Sequence, residues 1–197
     1  MTLETKLLSI MLVDELPERS EIIKKILEKA GHRIVARASS KADLTSLVNH
    51  YHPDIIIIDM ESPDRDTLEH MRTISADRPR PIVMFTNDED SQTIRRAVKA
   101  GVTAYIVDGL QPRRVMPILE IAIARFNEFQ TIKLELEKTK NSLEERKLVE
   151  RAKGILMKQS RYDEESAYKS MRKLAMDRNM KLSDLARSII AAAELLK

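Results

Sequence analysis

Asp54-Ile55-Ile56-Ile57-Ile58-Asp59 is the stretch that decides the fold. Four consecutive isoleucines with no polar residue between them suit a strand covered on both faces, the situation of a central strand in a parallel sheet. A strand with one wet face would alternate. The run ends on a carboxylate, Asp59. Working outward, four further short apolar runs occupy residues 7–13, 33–38, 81–86 and 104–107, and amphipathic stretches lie between them. In the first of these, Ile22, Ile23, Ile26 and Leu27 recur at helical spacing, with Gly31 where that helix should stop. Leu44, Leu47 and Val48 repeat the pattern. Five strands with intervening helices predict an α/β domain built on a five-stranded, doubly wound parallel sheet.

The chain has 197 residues, enough for one such domain and a smaller one. With only four glycines, the connector is expected to be helical rather than loose. No cysteine is present, which excludes disulfides, thiolate catalysis and cysteine-ligated metal centres. The apolar run at 7–13 is interrupted by Ser9, is too short to span a bilayer and lacks a small-residue cleavage site. The expectation is a cytoplasmic protein without a membrane partner. The formal charge of +3 decides little by itself, but from Arg125 onward 17 Lys or Arg face 12 Asp or Glu, so the basic excess sits in the C-terminal third.

Beyond Pro112, a single glycine, Gly154, occurs before Ser160, which predicts one long helix or a barely interrupted pair. Phe129, Leu136 and Leu143 fall seven apart, with Ile132 four before Leu136, while Thr139 and Arg146 take the alternate positions. This seam fits either a short coiled coil joining two copies or packing on the same chain. Two more helices follow. The first is capped by Asp163 and buries Ala167, Met171, Leu174 and Ala175; the last buries Leu182, Leu185, Ala186, Ile189 and Ala193. The predicted organisation is a domain at 1–125, a helical linker at 126–145 and a three-helix, all-α module at 146–197.

In an open parallel sheet, ligands bind beyond the carboxyl ends of the strands, where strand order reverses. Asp14 and Glu15 end the first predicted strand and Asp59 the third, and Thr86 ends the fourth. Hard oxygen ligands converging there suit Mg2+. The acidic pair, Asp59 followed four residues later by Pro63, Thr86, and Tyr105 on the fifth strand together resemble the receiver domain of two-component response regulators over residues 7–125. The resemblance implies a flavodoxin-like sheet, Asp59 as phosphoacceptor, Asp14, Glu15 and Asp59 as Mg2+ ligands, and Thr86 and Tyr105 as the switch pair. One position departs from the pattern. Receivers place a lysine three residues after the strand-five aromatic, whereas here Asp108 stands, and its negative charge disfavours a dianionic phosphoryl group. Control through a protein partner is therefore an expectation alongside phosphorylation.

On a helix through residues 145–158, Lys147, Arg151, Gly154 and Lys158 share one face, opposite the apolar Leu148, Val149, Ala152, Ile155 and Leu156. A basic stripe opposite a core stripe can track phosphates. A glycine inside a helix costs about 1 kcal/mol relative to alanine and usually marks close approach of another backbone, a neighbouring helix or a ligand, and of the two packing on a helix is the expectation for Gly154. The blocks Glu150-Arg151-Ala152-Lys153-Gly154-Ile155-Leu156-Met157, Glu164-Glu165-Ser166-Ala167-Tyr168 and Met171-Arg172-Lys173-Leu174-Ala175-Met176 resemble the ANTAR domain. That family comprises RNA-binding transcription antitermination regulators, which bind leader RNA with two small stem-loops and prevent a terminator from forming. The resemblance, with the charge pattern, implies RNA contacts from Arg146, Lys147, Arg151, Lys153, Lys158, Arg172 and Lys173, with Tyr162 and Tyr168 as the aromatic side chains able to stack on bases.

The stretches 61–67 and 107–110 further resemble the nitrate and nitrite assimilation branch of these antiterminators, in which a nitrate-sensing protein sequesters the regulator. The competing reading is a DNA-binding two-component response regulator, since three short helices after a receiver can form a helix-turn-helix. Against it, the last helix is apolar around Leu185, Ile189 and Ile190 rather than polar as a recognition helix would be. No second catalytic lysine accompanies the acidic cluster, so the chain is not expected to be an enzyme.

Overall fold

The computed structural model describes residues 7–15, 17–107, 109–160 and 162–195, and at 17–20 and 159–160 the backbone alone. Five strands, β1 (Ser9–Asp14), β2 (Arg33–Ala38), β3 (Ile55–Asp59), β4 (Ile82–Phe85) and β5 (Ala104–Ile106), form one parallel sheet in the order β2-β1-β3-β4-β5. This is the doubly wound, flavodoxin-like order, with its reversal between β1 and β3. The helices are α1 (Pro17–Lys29), α2 (Leu44–Tyr51), α3 (Arg65–Asp77), α4 (Ser91–Lys99), α5 (Val115–Ser160), α6 (Glu164–Asp177) and α7 (Leu182–Leu195).

The isoleucine run explains the layering. Side chains alternate across a strand, so Ile56 and Ile58 join one core with Leu44, Val48, Met71, Ile74 and Ala97 from α2, α3 and α4. Ile55 and Ile57 join the other, with Ile23 and Leu27 of α1 and Val115, Leu119 and Ala122 of α5. All four isoleucines are fully buried, each contributing on the order of 1.5–3 kcal/mol of transfer free energy. Asp43, Asp64 and Asp90 cap α2, α3 and α4 by accepting backbone N–H bonds. Gly31 holds φ +88°, the left-handed conformation that ends the first helical segment and turns the chain into β2.

The strands are slightly shorter than the apolar runs. Leu7 precedes β1 and is exposed, and Pro81 and Thr86 flank β4. α5 is a single 46-residue helix. Its Pro117, which the expectation of an uninterrupted helix overlooks, lies in the first turn, where the missing N–H has no intrahelical acceptor to lose.

The chain divides into two compact units, residues 1–129 and 130–197. The second has its own core, made by Leu148, Val149, Ala152, Ile155 and Leu156 of α5, Met171 and Ala175 of α6, and Leu185, Ala186 and Ile190 of α7. Two expectations need correction. Leu174 is 38% exposed, because the buried face of α6 is centred on Met171 and Leu174 falls at its rim. In α7 the face is centred on Ala186 and Ile190, which leaves Leu182 and Ile189 only half-buried. Among the described residues no helix is long and apolar enough to cross a membrane.

Candidate functional site

Parallel pairing of β1 with β3 sets Asp14 directly opposite Asp59, so the reversal in strand order places two carboxylates side by side at the carboxyl edge of the sheet. Asp59 is 3% exposed and Asp14 half-buried. Glu15 is not drawn in with them. It is exposed, and its carboxylate accepts a 2.8 Å hydrogen bond from the Ser40 hydroxyl. Among the described residues no three His, Asp or Glu side chains stand together as a ready-made metal cage. Asp14 and Asp59 nevertheless fit Mg2+, which takes one or two carboxylates and completes its shell with water and phosphate oxygens.

Thr86 is buried beside them, and its hydroxyl donates to the Glu61 carbonyl at 2.6 Å. The same carbonyl accepts from the Asn87 N–H at 3.1 Å. The Ser62 hydroxyl donates to the Asp88 carboxylate at 2.5 Å, and the Tyr105 hydroxyl donates to the Asp88 carbonyl at 2.9 Å. The loops after β3 and β4 are thereby stitched together, by Thr86 at the end of β4 and by Ser62, and Tyr105 of β5 is tied to the loop after β4. Burial raises the Tyr105 pKa, against a smaller opposite effect of its hydrogen bond with Thr86. The Ser62 hydroxyl, with the Asp90 N–H, holds the Asp88 carboxyl below the usual range. Ser40, Ser62 and the Glu61 carbonyl escape sequence reading, since loop-to-loop hydrogen bonds leave no periodic signal. Asp108 lies outside the described residues.

A cavity of about 780 Å3 opens at the opposite, amino end of the sheet, lined in part by Leu8, His32, Asp54, Arg80, Leu119 and Ile123. It includes none of the carboxylates at the strand ends.

In the second unit, Arg146, Lys147, Arg151 and Lys158 are exposed on α5, and Arg172 and Lys173 on α6. Tyr162 and Tyr168 are also exposed. Arg151 forms a 2.6 Å ion pair with Glu194 of α7, both side chains remaining largely solvated. Lys153 behaves differently from the other cations. It is 8% exposed, and its Nζ lies 2.6 Å from Glu150 and 2.8 Å from Glu164, in the first turn of α6. Hydrogen bonds to Glu150 and Glu164 raise its pKa. Its ammonium is committed to joining α5 to α6. Glu150 is visible in the sequence as a partner three residues back; Glu164 is not, because the turn between the helices brings it near.

Ala167 and Ala175 are buried, as packing residues would be. Gly154 is half-buried but admits no close neighbour among the described residues. A Cβ added there would meet nothing within 4 Å, so the expectation that it admits a neighbouring backbone of this chain is corrected.

Two family models match separate parts of the chain. A family model described as "Response regulator receiver domain" matches residues 10–120, and one described as "ANTAR domain" matches residues 137–190, reaching into the segment expected to be a linker. The chain is 32% identical over 166 residues to the transcriptional regulatory protein PdtaR of Mycobacterium tuberculosis, covering 84% of this chain and 81% of that protein. It is 34% identical over 88 residues to the nitrate regulatory protein of Klebsiella oxytoca, covering 45% of this chain and 22% of that one. Among solved structures, a CheY-like receiver domain protein from Methanospirillum hungatei superposes with a TM-score of 0.55 at 21% identity, over 62% of this chain and 98% of that chain.

Proposed function

The chain belongs to the response regulators that carry a receiver domain followed by an ANTAR domain, and on that footing we propose that it is a cytoplasmic, signal-responsive RNA-binding antitermination regulator. Its C-terminal module binds paired stem-loops in leader RNA and prevents termination, and its receiver gates that binding. The carrying observation is the set of exposed cations, Arg146, Lys147, Arg151, Lys158, Arg172 and Lys173, around the three-helix core within the ANTAR match. Phosphate contacts supply affinity, and exposed Tyr162 and Tyr168 can stack on loop bases.

Gating runs through phosphorylation at Asp59 by a sensor kinase or through sequestration by a sensor protein. When bound, Mg2+ neutralises charge at the carboxylate and at an incoming phosphoryl group. Asp14 and Asp59 would hold it. Thr86 would reach a phosphoryl oxygen only by leaving the Glu61 carbonyl. Asp108 in place of lysine favours sequestration, and the likeness to the nitrate regulatory protein makes a nitrate-sensing partner and nitrate or nitrite assimilation genes the reading for the pathway.

The linker helix supports a homodimer. Phe129, Ile132, Leu136 and Leu143 are each more than half exposed. With Phe129, Leu136 and Leu143 at successive a positions, Glu128 and Glu135 take g positions and Lys133 and Lys140 take e positions. In a parallel pair, Glu128 then faces the partner subunit's Lys133 and Glu135 the partner subunit's Lys140; an antiparallel pair would oppose like charges.

Competition between a two-stem-loop RNA and duplex DNA at fixed salt tests the function. Preference for the RNA is expected. Preference for the duplex would establish the DNA-binding alternative.

A further inference from the structure

Gly154 sits 39 residues into a 46-residue helix and is the single glycine of that helix. At about 100° per residue, it lies on the side of α5 opposite Ala152 and Leu156, the stripe that enters the core. Gly154 is half-buried, and helix positions outside the core ordinarily carry alanine or a long polar residue, since glycine weakens the helix by roughly 1 kcal/mol. Among the described residues nothing repays that cost: an added Cβ would touch no atom within 4 Å, and Gly154 has no positive φ to require glycine.

The surroundings of the gap carry three cations and one carboxylate, Glu150, which is paired with Lys153, while Arg151 is paired with Glu194. Lys147, Arg151 and Lys158 fall within about 60° of Gly154 around the helix, and all three are exposed. Lys147 and Lys158 have no ion pair among the described residues. Arg151 and Lys158 bracket the glycine one turn to either side, about 10 Å apart along the axis. The neighbouring Lys153 does not crowd this face, because Glu150 and Glu164 hold it. A bare stretch of helix backbone flanked by cations matches an anionic polymer lying against the helix. Glycine is the residue used where a ligand must approach backbone closely.

We propose that Gly154 is the point where the RNA sugar-phosphate backbone crosses α5, lying against the helix with Lys147 and Arg151 on one side and Lys158 on the other. A side chain here would hold the strand off those cations. The proposal rests on the RNA-binding reading and adds to it a steric requirement at one atom.

The test compares the full chain with its Gly154→Ala and Gly154→Leu variants. The probe is a pool of two-stem-loop RNAs with randomised loops, enriched on the unaltered chain, and melting temperature and mass in solution are measured in parallel. Expected are an unchanged or higher melting temperature for Gly154→Ala, RNA affinity at least tenfold weaker, weaker still for Gly154→Leu, and unchanged mass. If the unaltered chain enriches no RNA, the RNA reading itself fails. If it does and Gly154→Ala binds within twofold, only the glycine assignment fails. A lowered melting temperature would return Gly154 to packing, and a changed mass would assign the face to a second copy; either overturns the proposal.

Discussion

The Nζ of Lys153 lies 2.8 Å from the Glu164 carboxylate, bridging the last turns of α5 to the first turn of α6. Both glutamates around this lysine are largely solvated, so the pairing contributes far less than a fully buried pair would. Lys153→Met and Glu164→Gln are each expected to lower the stability of the C-terminal unit in urea denaturation. A phosphate-contacting lysine would behave differently: Lys153→Met would leave stability unchanged and reduce the salt slope of RNA binding by about 1.

His32 gives the receiver a pH dependence. It is 6% exposed, the Leu8 N–H donates toward its Nδ1, and burial lowers its pKa from 6.5. The folded state therefore binds this proton less readily than the unfolded state. The stability contributed by neutral His32 is present above pH 6.5 and is lost as pH falls through the lowered folded value. Thermal melts of the receiver transition are expected to decline from pH 7 toward pH 5, and His32→Gln to flatten that decline. An unaltered slope in the variant would remove His32 as the cause.

The sequence at position 108 makes a chemical prediction. With aspartate where receivers carry lysine, a small-molecule phosphodonor is expected to modify the chain poorly, as read by intact mass. Asp108→Lys should increase the modified fraction severalfold, and Asp59→Asn should abolish it in either background.

Leu136 tests the seam on the linker helix. Leu136→Glu places a charge at the central a position and is expected to shift a dimer toward monomer in sedimentation, with circular dichroism unchanged. If the unaltered chain sediments as a monomer at every concentration, the exposed apolar row has another use.

Residues 55–58 made the sheet legible, because continuous burial, strand length and a terminal carboxylate coincide in one run. Asp14 and Asp59 were legible for the same reason: each closes an apolar strand, and strand order then makes them neighbours. Periodicity also located the three-helix core, with errors at Leu174, Leu182 and Ile189, where a face edge decides burial and spacing alone cannot place the edge. Features made by tertiary contact were not legible. Glu164 reaches Lys153 only through the α5–α6 turn, Ser40 donates to the Glu15 carboxylate, and Thr86 bonds a loop carbonyl. Gly154 was visible as an anomaly, but whether its space is filled depends on where α6 and α7 run.

RNA binding by the exposed cations of α5 and α6 can be measured through its salt dependence. The most direct measurement is the salt dependence of affinity for a two-stem-loop RNA by the full chain and by Lys147→Gln, Lys158→Gln and Arg172→Gln. Each variant is expected to bind more weakly and to lower the slope of log affinity against log salt by about 1. Unchanged slopes in all three, or equal affinity for duplex DNA, would contradict it.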